Sequence, residues 1–212
     1  MYFAKTPILV QRILKRLVWR FVDAEEVFLT FDDGPIPEVT PFVLDLLQKE
    51  NIKATFFCVG DNVRKHPEIY QRIIDEGHSI GNHTYHHLNA WKTSNETYLD
   101  DIKKADEVID SKLFRPPYGK ISPHLISKLK DQYDIIMWDV LSGDFDPKIT
   151  ADKCYDNVTK NAKHGSIIVF HDSIKAFEKL KIVLPSVISF FKEKGVQLKK
   201  ICLLYTSPSP RD

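Results

Sequence analysis

Apolar residues in this chain gather in short runs, and longer amphipathic stretches lie between them. Runs at 27–31, 54–59, 78–82, 113–115, 134–138, 167–170 and 196–201 read as β-strands. The stretches between have helical spacing. Phe42, Val43, Leu46 and Leu47 share a face behind Thr40 and Pro41, and Tyr98, Ile102, Ala105 and Ile109 share another behind a Thr93–Glu96 capping box. Strands apolar enough to be covered on both faces, alternating with helices, predict an α/β fold with a mainly parallel sheet. That sheet is either closed as a barrel or open and doubly wound, and about seven strands fall just short of the regular eight-stranded barrel.

The two ends break this rhythm. Residues 1–26 read as an N-terminal arm in which Ile8, Ile13, Leu17 and Phe21 line one helical face and Arg12, Lys15, Arg16 and Arg20 lie elsewhere. A basic amphipathic helix suits an anionic membrane surface, but an arm packed on its own domain is the ordinary outcome and the one expected. No stretch resembles the apolar core of a Sec signal peptide, which points to a cytoplasmic or envelope-associated place in a bacterium. Residues 27–201 form one domain. Residues 202–212, rich in Ser and Pro and without period, read as a non-native or disordered tail resembling translated adapter sequence.

Composition mainly excludes. A chain of 212 residues suffices for one sizeable core, and 30 basic against 29 acidic residues leave a formal charge of +1, so no global field recruits nucleic acid. Cys58, Cys154 and Cys202 have no C-x-x-C spacing and read as reduced structural thiols.

Chemistry gathers at the carboxyl ends of the expected strands, where parallel α/β folds build their sites. "TFDDGP" follows the first strand, "GNHTYHH" the third, "RPPYG" the fourth, "WDVLSGDF" the fifth and "FHDS" the sixth. His83 and His87, spaced i, i+4, would share one face of a helical turn, a spacing used by paired metal ligands. His86 should point elsewhere. With Asp33 as third ligand the set leaves positions open for water and substrate, as a catalytic metal site requires. Zinc is expected first, with cobalt, nickel or iron as alternatives. Asp32, pointing away from Asp33, is the candidate base for a water acidified by the metal, and Arg115 would hold it by a charge-assisted hydrogen bond, single or bidentate. His171 is the candidate acid for the leaving group. Asp144 would accept its other ring N–H and raise its pKa, with Asp172 and Asp139 as competitors for that role.

The ordered set "TFDDGP", H-T-x-x-H at His83 to His87, "RPPYG", "GDF" and "FHD" resembles the five motifs of the NodB-type polysaccharide deacetylases, carbohydrate esterase family four. The likeness runs from about residue 27 to 201. It implies a distorted (β/α) barrel of seven strands and a metal-dependent hydrolase that removes acetyl groups from acetylated carbohydrate, chiefly N-acetylated amino-sugar polymers such as peptidoglycan or chitin. It further implies Asp32 as base, Asp33, His83 and His87 as ligands, Arg115 as tether of Asp32, His171 as acid and Asp144 as its partner. The backbone N–H of Tyr118, in a Pro-stiffened loop, would stabilise the oxyanion.

Leu141 and Phe145 depart from the family's W-D-x-D-x-x-D-W pattern, and Val169 and Phe170 replace two leucines before His171. These changes bear on the acetyl pocket rather than the reaction. An O-acetyl esterase, a small-molecule amidohydrolase and a non-catalytic sugar- or metal-binding module are the rival readings. Trp91 and Tyr85 are candidate platforms for a sugar ring.

Overall fold

The computed structural model describes residues 3–202, so the expected tail lies outside the described residues from 203 onwards. Parallel strands β1 (Val27–Asp32), β2 (Thr55–Cys58), β3 (Ser79–Asn82), β4 (Leu113–Phe114), β5 (Asp134–Ile135), β6 (Val140–Leu141) and β7 (Ile167–His171) form a sheet in the order β5-β4-β3-β2-β1-β7-β6. A short β8 (Leu198–Lys199) pairs with the start of β1. All six residues of β1 are buried, as expected for a strand covered on both faces. The helices are α1 (Ile8–Ile13), α2 (Thr40–Lys49), α3 (Gly60–Lys65), α4 (Pro67–Asp75), α5 (Asn95–Asp106), α6 (Pro123–Leu129), α7 (Ala151–Thr159) and α8 (Ile174–Glu193). The main core lies where α2, α7 and α8 pack on the central strands through Val43, Leu47, Val158, Leu184 and Val187 against Leu29 and Phe31.

The architecture is a single α/β domain whose sheet curls into a half-barrel with seven parallel strands in line. One expected strand divides. The run at 134–138 supplies only β5, at one edge, and the chain then re-enters at the opposite edge as β6 beside β7. Four residues lie between Ile135 and Val140, and an extended chain over those five steps spans at most about 18 Å. Only a strongly curled sheet brings its edges that close.

The N-terminal arm fills the seam between them. Val18 N–H donates to Ile135 O at 2.9 Å and Met137 N–H to Val18 O at 2.7 Å, while Leu141 N–H donates to Ala4 O at 2.9 Å across the gap. These bonds satisfy edge groups that a half-barrel leaves unpaired. The arm is therefore not one helix. Only α1 is helical; Leu17, Trp19 and Phe21 are buried at every second residue, the period of an extended segment, whereas Ile8 and Ile13 face outward. Gly165 permits this docking: its φ is +77° and a Cβ there would meet Phe21 O at 1.8 Å.

Candidate active site

Sheet register brings the motifs to one level. Asp32 at the end of β1 is paired with His171 at the end of β7, Cys58 of β2 with Asn82 of β3, and Asn82 with Phe114 of β4. The ladder runs one residue further: His83 N–H donates to Cys58 O at 2.9 Å, Arg115 N–H to Asn82 O at 3.0 Å and Asp172 N–H to Asp32 O at 3.0 Å. Asp32, Asp33, His83, Arg115 and His171 consequently leave the sheet at the same rim.

Asp33, His83 and His87 form a cluster that could hold a metal ion, with one donor atom of each within 4.8 Å of the others. Asp33 Oδ1 lies 3.2 Å from His87 Nε2 and 3.9 Å from His83 Nε2. Ligand atoms of a tetrahedral zinc ion with bonds near 2.0–2.1 Å stand about 3.4 Å apart. His83 Nδ1 lies 2.7 Å from Arg115 O, so that nitrogen carries the proton and Nε2 turns a lone pair towards Asp33. Burial also holds the His83 pKa down at about 4, against the attraction of Asp32, which keeps the ring neutral as a ligand must be. Burial works to raise Asp33, but the hydrogen bond from His87 and the nearby imidazoles hold its carboxyl well below the ordinary range. The residues thus fit a divalent metal.

The expected helical turn is absent. His83 to His87 is a loop, with Thr84 and His87 at φ +63° and +56°, and this fold of the loop brings the two rings to a centroid distance of 5.0 Å. Asp33 at φ +89° and Tyr118 at φ +59° complete four left-handed non-glycine residues along one rim. Such conformations cost of order 1–3 kcal/mol each and persist where surrounding bonds over-determine them. Here Asp101 on α5 accepts the N–H of Tyr85 and of His86 and faces the His86 ring, turning it away from the cluster.

Arg115 holds Asp32 by one hydrogen bond, from Nη1 to Oδ1 at 2.6 Å, rather than by a two-pronged pair. Its other donors are spread over Thr30 Oγ1 at 2.8 Å, Ile136 O at 3.2 Å and Met137 O at 3.1 Å, and its guanidinium lies 3.9 Å from the Phe57 ring centre. The arginine is fully buried. It ties β1, β4 and the segment after β5 together through one group.

Of the three carboxylates considered for His171, Asp144 is the one beside it, with Oδ1 2.8 Å from Nδ1 and Oδ2 accepting the His171 backbone N–H at 2.7 Å. Burial disfavours the cation, but the charge and hydrogen bond of Asp144, with Asp33 and Asp32 behind them, push the His171 pKa up to about 9. Asp139 is turned to the arm and β7, accepting from Lys5 Nζ, Ser166 Oγ and Ile167 N–H. Asp172 faces the loop after β1, accepting from Gly34 N–H at 3.0 Å and Thr40 Oγ1 at 2.6 Å.

The family model for polysaccharide deacetylases matches residues 21–133, more than half of the chain. The chain belongs to the polysaccharide deacetylase family. A peptidoglycan-N-acetylglucosamine deacetylase of Bacillus cereus is 37% identical over 194 residues, covering 88% of this chain and 70% of the relative. The Bacillus subtilis peptidoglycan-N-acetylmuramic acid deacetylase PdaA is 31% identical over 191 residues, covering 82% and 69%. The crystal structure of the Bc1960 peptidoglycan N-acetylglucosamine deacetylase superposes with a TM-score of 0.86 at 34% identity, covering 97% of this chain and 100% of that one. The hydrolase class and the distorted seven-stranded barrel expected from the five motifs hold, the barrel taking the form of a curled half-barrel.

Several side chains that shape this deacetylase's site carry no motif signal. Asn62 Nδ2 donates to Asp33 O at 2.8 Å, and Lys179 Nζ donates to Asp144 O at 3.2 Å and Asp146 O at 2.7 Å. Both come from helices that read only as amphipathic. Asp101 follows Asp100 on α5; only its inward helical position distinguishes it. Thr40 does not cap α2 but relays between Ile36 N–H and Asp172. The Phe145 ring stands edge-on to His171 at 4.9 Å, and the exposed Tyr118 ring lies 4.7 Å from His87. Tyr85 is buried beneath Lys104 and offers no sugar platform, whereas Trp91 is exposed, with Lys120 Nζ 3.9 Å from its ring centre.

Proposed function

We propose that this chain removes N-acetyl groups from amino sugars of peptidoglycan, N-acetylglucosamine first, by metal-assisted hydrolysis. The substrate follows from the relatives described above, two of which are named for N-acetylglucosamine and one for N-acetylmuramic acid. One observation carries the chemistry: the Asp33–His83–His87 cluster sits on a rim where Asp32 and His171 are register partners. Asp33, His83 and His87 would hold the ion, with zinc assigned first. When bound there, a divalent metal supplies Lewis acidity, lowering the pKa of a water and polarising the amide carbonyl.

The remaining work falls to the chain. Asp32, aimed by Arg115, takes the proton of the attacking water. His171 starts as the cation, because Asp144 raises its pKa, and gives its proton to the departing sugar nitrogen; the products are acetate and the free amine. The Tyr118 N–H, in the turn after Pro116 and Pro117, donates to the carbonyl oxygen as charge develops there. Phe145, edge-on to His171, gives the acetyl pocket a smaller aromatic wall than an indole would, and one without its N–H.

Acetate release and mass analysis of muropeptides after incubation with purified peptidoglycan test this reading, beside chitooligosaccharides and acetylated xylan. De-N-acetylated glucosamine in the peptidoglycan digest is the expected product. Deacetylated muramic acid alone would move the substrate. Turnover of a non-sugar amide with no acetate from any sugar would remove the assignment.

A further inference from the structure

The half-barrel leaves one unusual surface on the side away from its core. Among the described residues, six of the eleven exposed large apolar side chains lie within the arm: Phe3, Ile8, Leu9, Val10, Ile13 and Val22. Ile8, Leu9 and Ile13 are 61%, 66% and 69% exposed although the same segment buries Leu17, Trp19 and Phe21. At about 100° per residue, Ile8, Arg12, Leu9 and Ile13 fall in that order within an arc of about 140° on α1. Gln11, on the opposite side, is the residue that α1 turns inward, its amide donating to Thr6 O at 3.0 Å.

Charge follows the same segment. From Phe3 to Val22 there are five cations and no carboxylate, so 25 basic and 29 acidic residues remain in the rest of the chain. Lys5 is bound to Asp139, and Arg20 donates to His164 O. Arg12 within that arc, and Lys15 and Arg16 in the turn just past α1, are exposed. Arg12, Lys15, Arg20 and Lys163 also line a cavity of about 930 Å³ between the arm and the barrel, whose acids are Asp23 and the Lys5-bound Asp139.

We infer that this arm docks the protein on the surface of an anionic lipid bilayer. Ile8, Leu9 and Ile13 enter the boundary between headgroups and acyl chains, and Arg12, Lys15 and Arg16 meet lipid phosphates. A second copy of the chain is the poorer occupant, because a two-fold interface through α1 would set these cations against one another. Among the described residues no helix is long and apolar enough to cross a membrane, so the mode is attachment to the surface. Phe3 and Val10 share a small cavity with Tyr118 and Leu141, so docking would hold the rim of the site close to the bilayer. The inference is independent of the reaction.

Co-sedimentation of the full chain with phosphatidylcholine vesicles, with and without phosphatidylglycerol, tests it. The protein should pellet with the anionic vesicles alone, and binding should weaken as salt rises from about 0.1 to about 1 M, where screening shortens from about 10 to about 3 Å. Arg12→Gln/Lys15→Gln/Arg16→Gln should lower partitioning about a hundredfold, and Ile8→Ser/Leu9→Ser/Ile13→Ser about tenfold or more, with circular dichroism as the check on folding. Equal binding to neutral and anionic vesicles by the unaltered protein overturns the proposal, as does no binding to either. Sedimentation velocity showing a dimer that the Ser variant abolishes would make a second copy the occupant.

Discussion

Asp144 grips His171 at two points, its Oδ1 2.8 Å from the ring Nδ1 and its Oδ2 accepting the backbone N–H at 2.7 Å. The second bond fixes the carboxylate to the strand end, so the first cannot swing away from the ring. Asp144→Asn keeps a hydrogen-bonding group but removes the charge that holds the His171 pKa at about 9. The alkaline limb of the kcat/KM profile should then move down towards the ordinary imidazole value of about 6.5, and activity near pH 9 should fall about a hundredfold. An unmoved limb would place the acid elsewhere. The same raised pKa has a stability consequence: its contribution is fully present below about pH 6.5 and is lost as pH rises through about 9. Thermal melting of metal-stripped protein should show that decline, and His171→Ala should flatten it.

The Asp32–Arg115 pair separates turnover from folding. Asp32→Asn still accepts a hydrogen bond from Arg115 and leaves Asp33 untouched, so metal content should persist while turnover falls about a thousandfold. Loss of metal would exchange the roles of the two aspartates. Arg115→Met removes one partner of a fully buried ion pair and four hydrogen bonds with it. Urea denaturation should report a loss of about 3–5 kcal/mol.

Both imidazoles of the cluster should be needed for metal, yet their removal should differ in its effect on the fold. His87 is about a quarter exposed, whereas His83 is buried and bonded to Arg115 O. His87→Ala should abolish bound metal by elemental analysis and leave the melting temperature of metal-free protein nearly unchanged. His83→Ala should lose metal and also lower that melting temperature. Chelation of the unaltered protein should depress its melting temperature, and added zinc should restore it.

Asp172 is a prediction about positioning. Its carboxylate ties Gly34 N–H and Thr40 Oγ1, and so holds the loop that carries Asp33. Any side chain at position 34 would collide with it, since a Cβ there would lie 1.9 Å from Asp172 Oδ2. Asp172→Ala leaves two donors, Gly34 N–H and the Thr40 hydroxyl, without their acceptor and should destabilise the fold by about 2 kcal/mol. Asp172→Asn should lose less, because its carbonyl can still accept from Gly34.

Legibility differed with the range of the interaction involved. The strands were readable from local apolar runs, although 134–138 proved to hold only β5 and the separate β6 was missed. Nothing in the sequence around Trp138 announces that the chain crosses there between the two edges of a curled sheet. The arm misled for a related reason. Leu17, Trp19 and Phe21 alternate, but three residues are too few to outweigh the helical spacing upstream until edge bonds to Ile135 and Met137 decide between them. His83 and His87 were identified through an assumed helical turn; their meeting depends on left-handed residues stabilised by Asp101, which lies sixteen and fifteen residues along the chain from the Tyr85 and His86 N–H groups whose bonds it accepts.

The sequence by itself determined the strand–helix alternation, the polar strand ends and the residue types that the site displays, because these follow from local periodicity and from side-chain chemistry. Tertiary structure decided which carboxylate faces which histidine, how Arg115 distributes its donors, and that the arm closes the seam while leaving Ile8, Leu9 and Ile13 in solvent. Those outcomes depend on the curl and register of the sheet, which sum contacts between residues far apart in the chain. No window of sequence contains that sum.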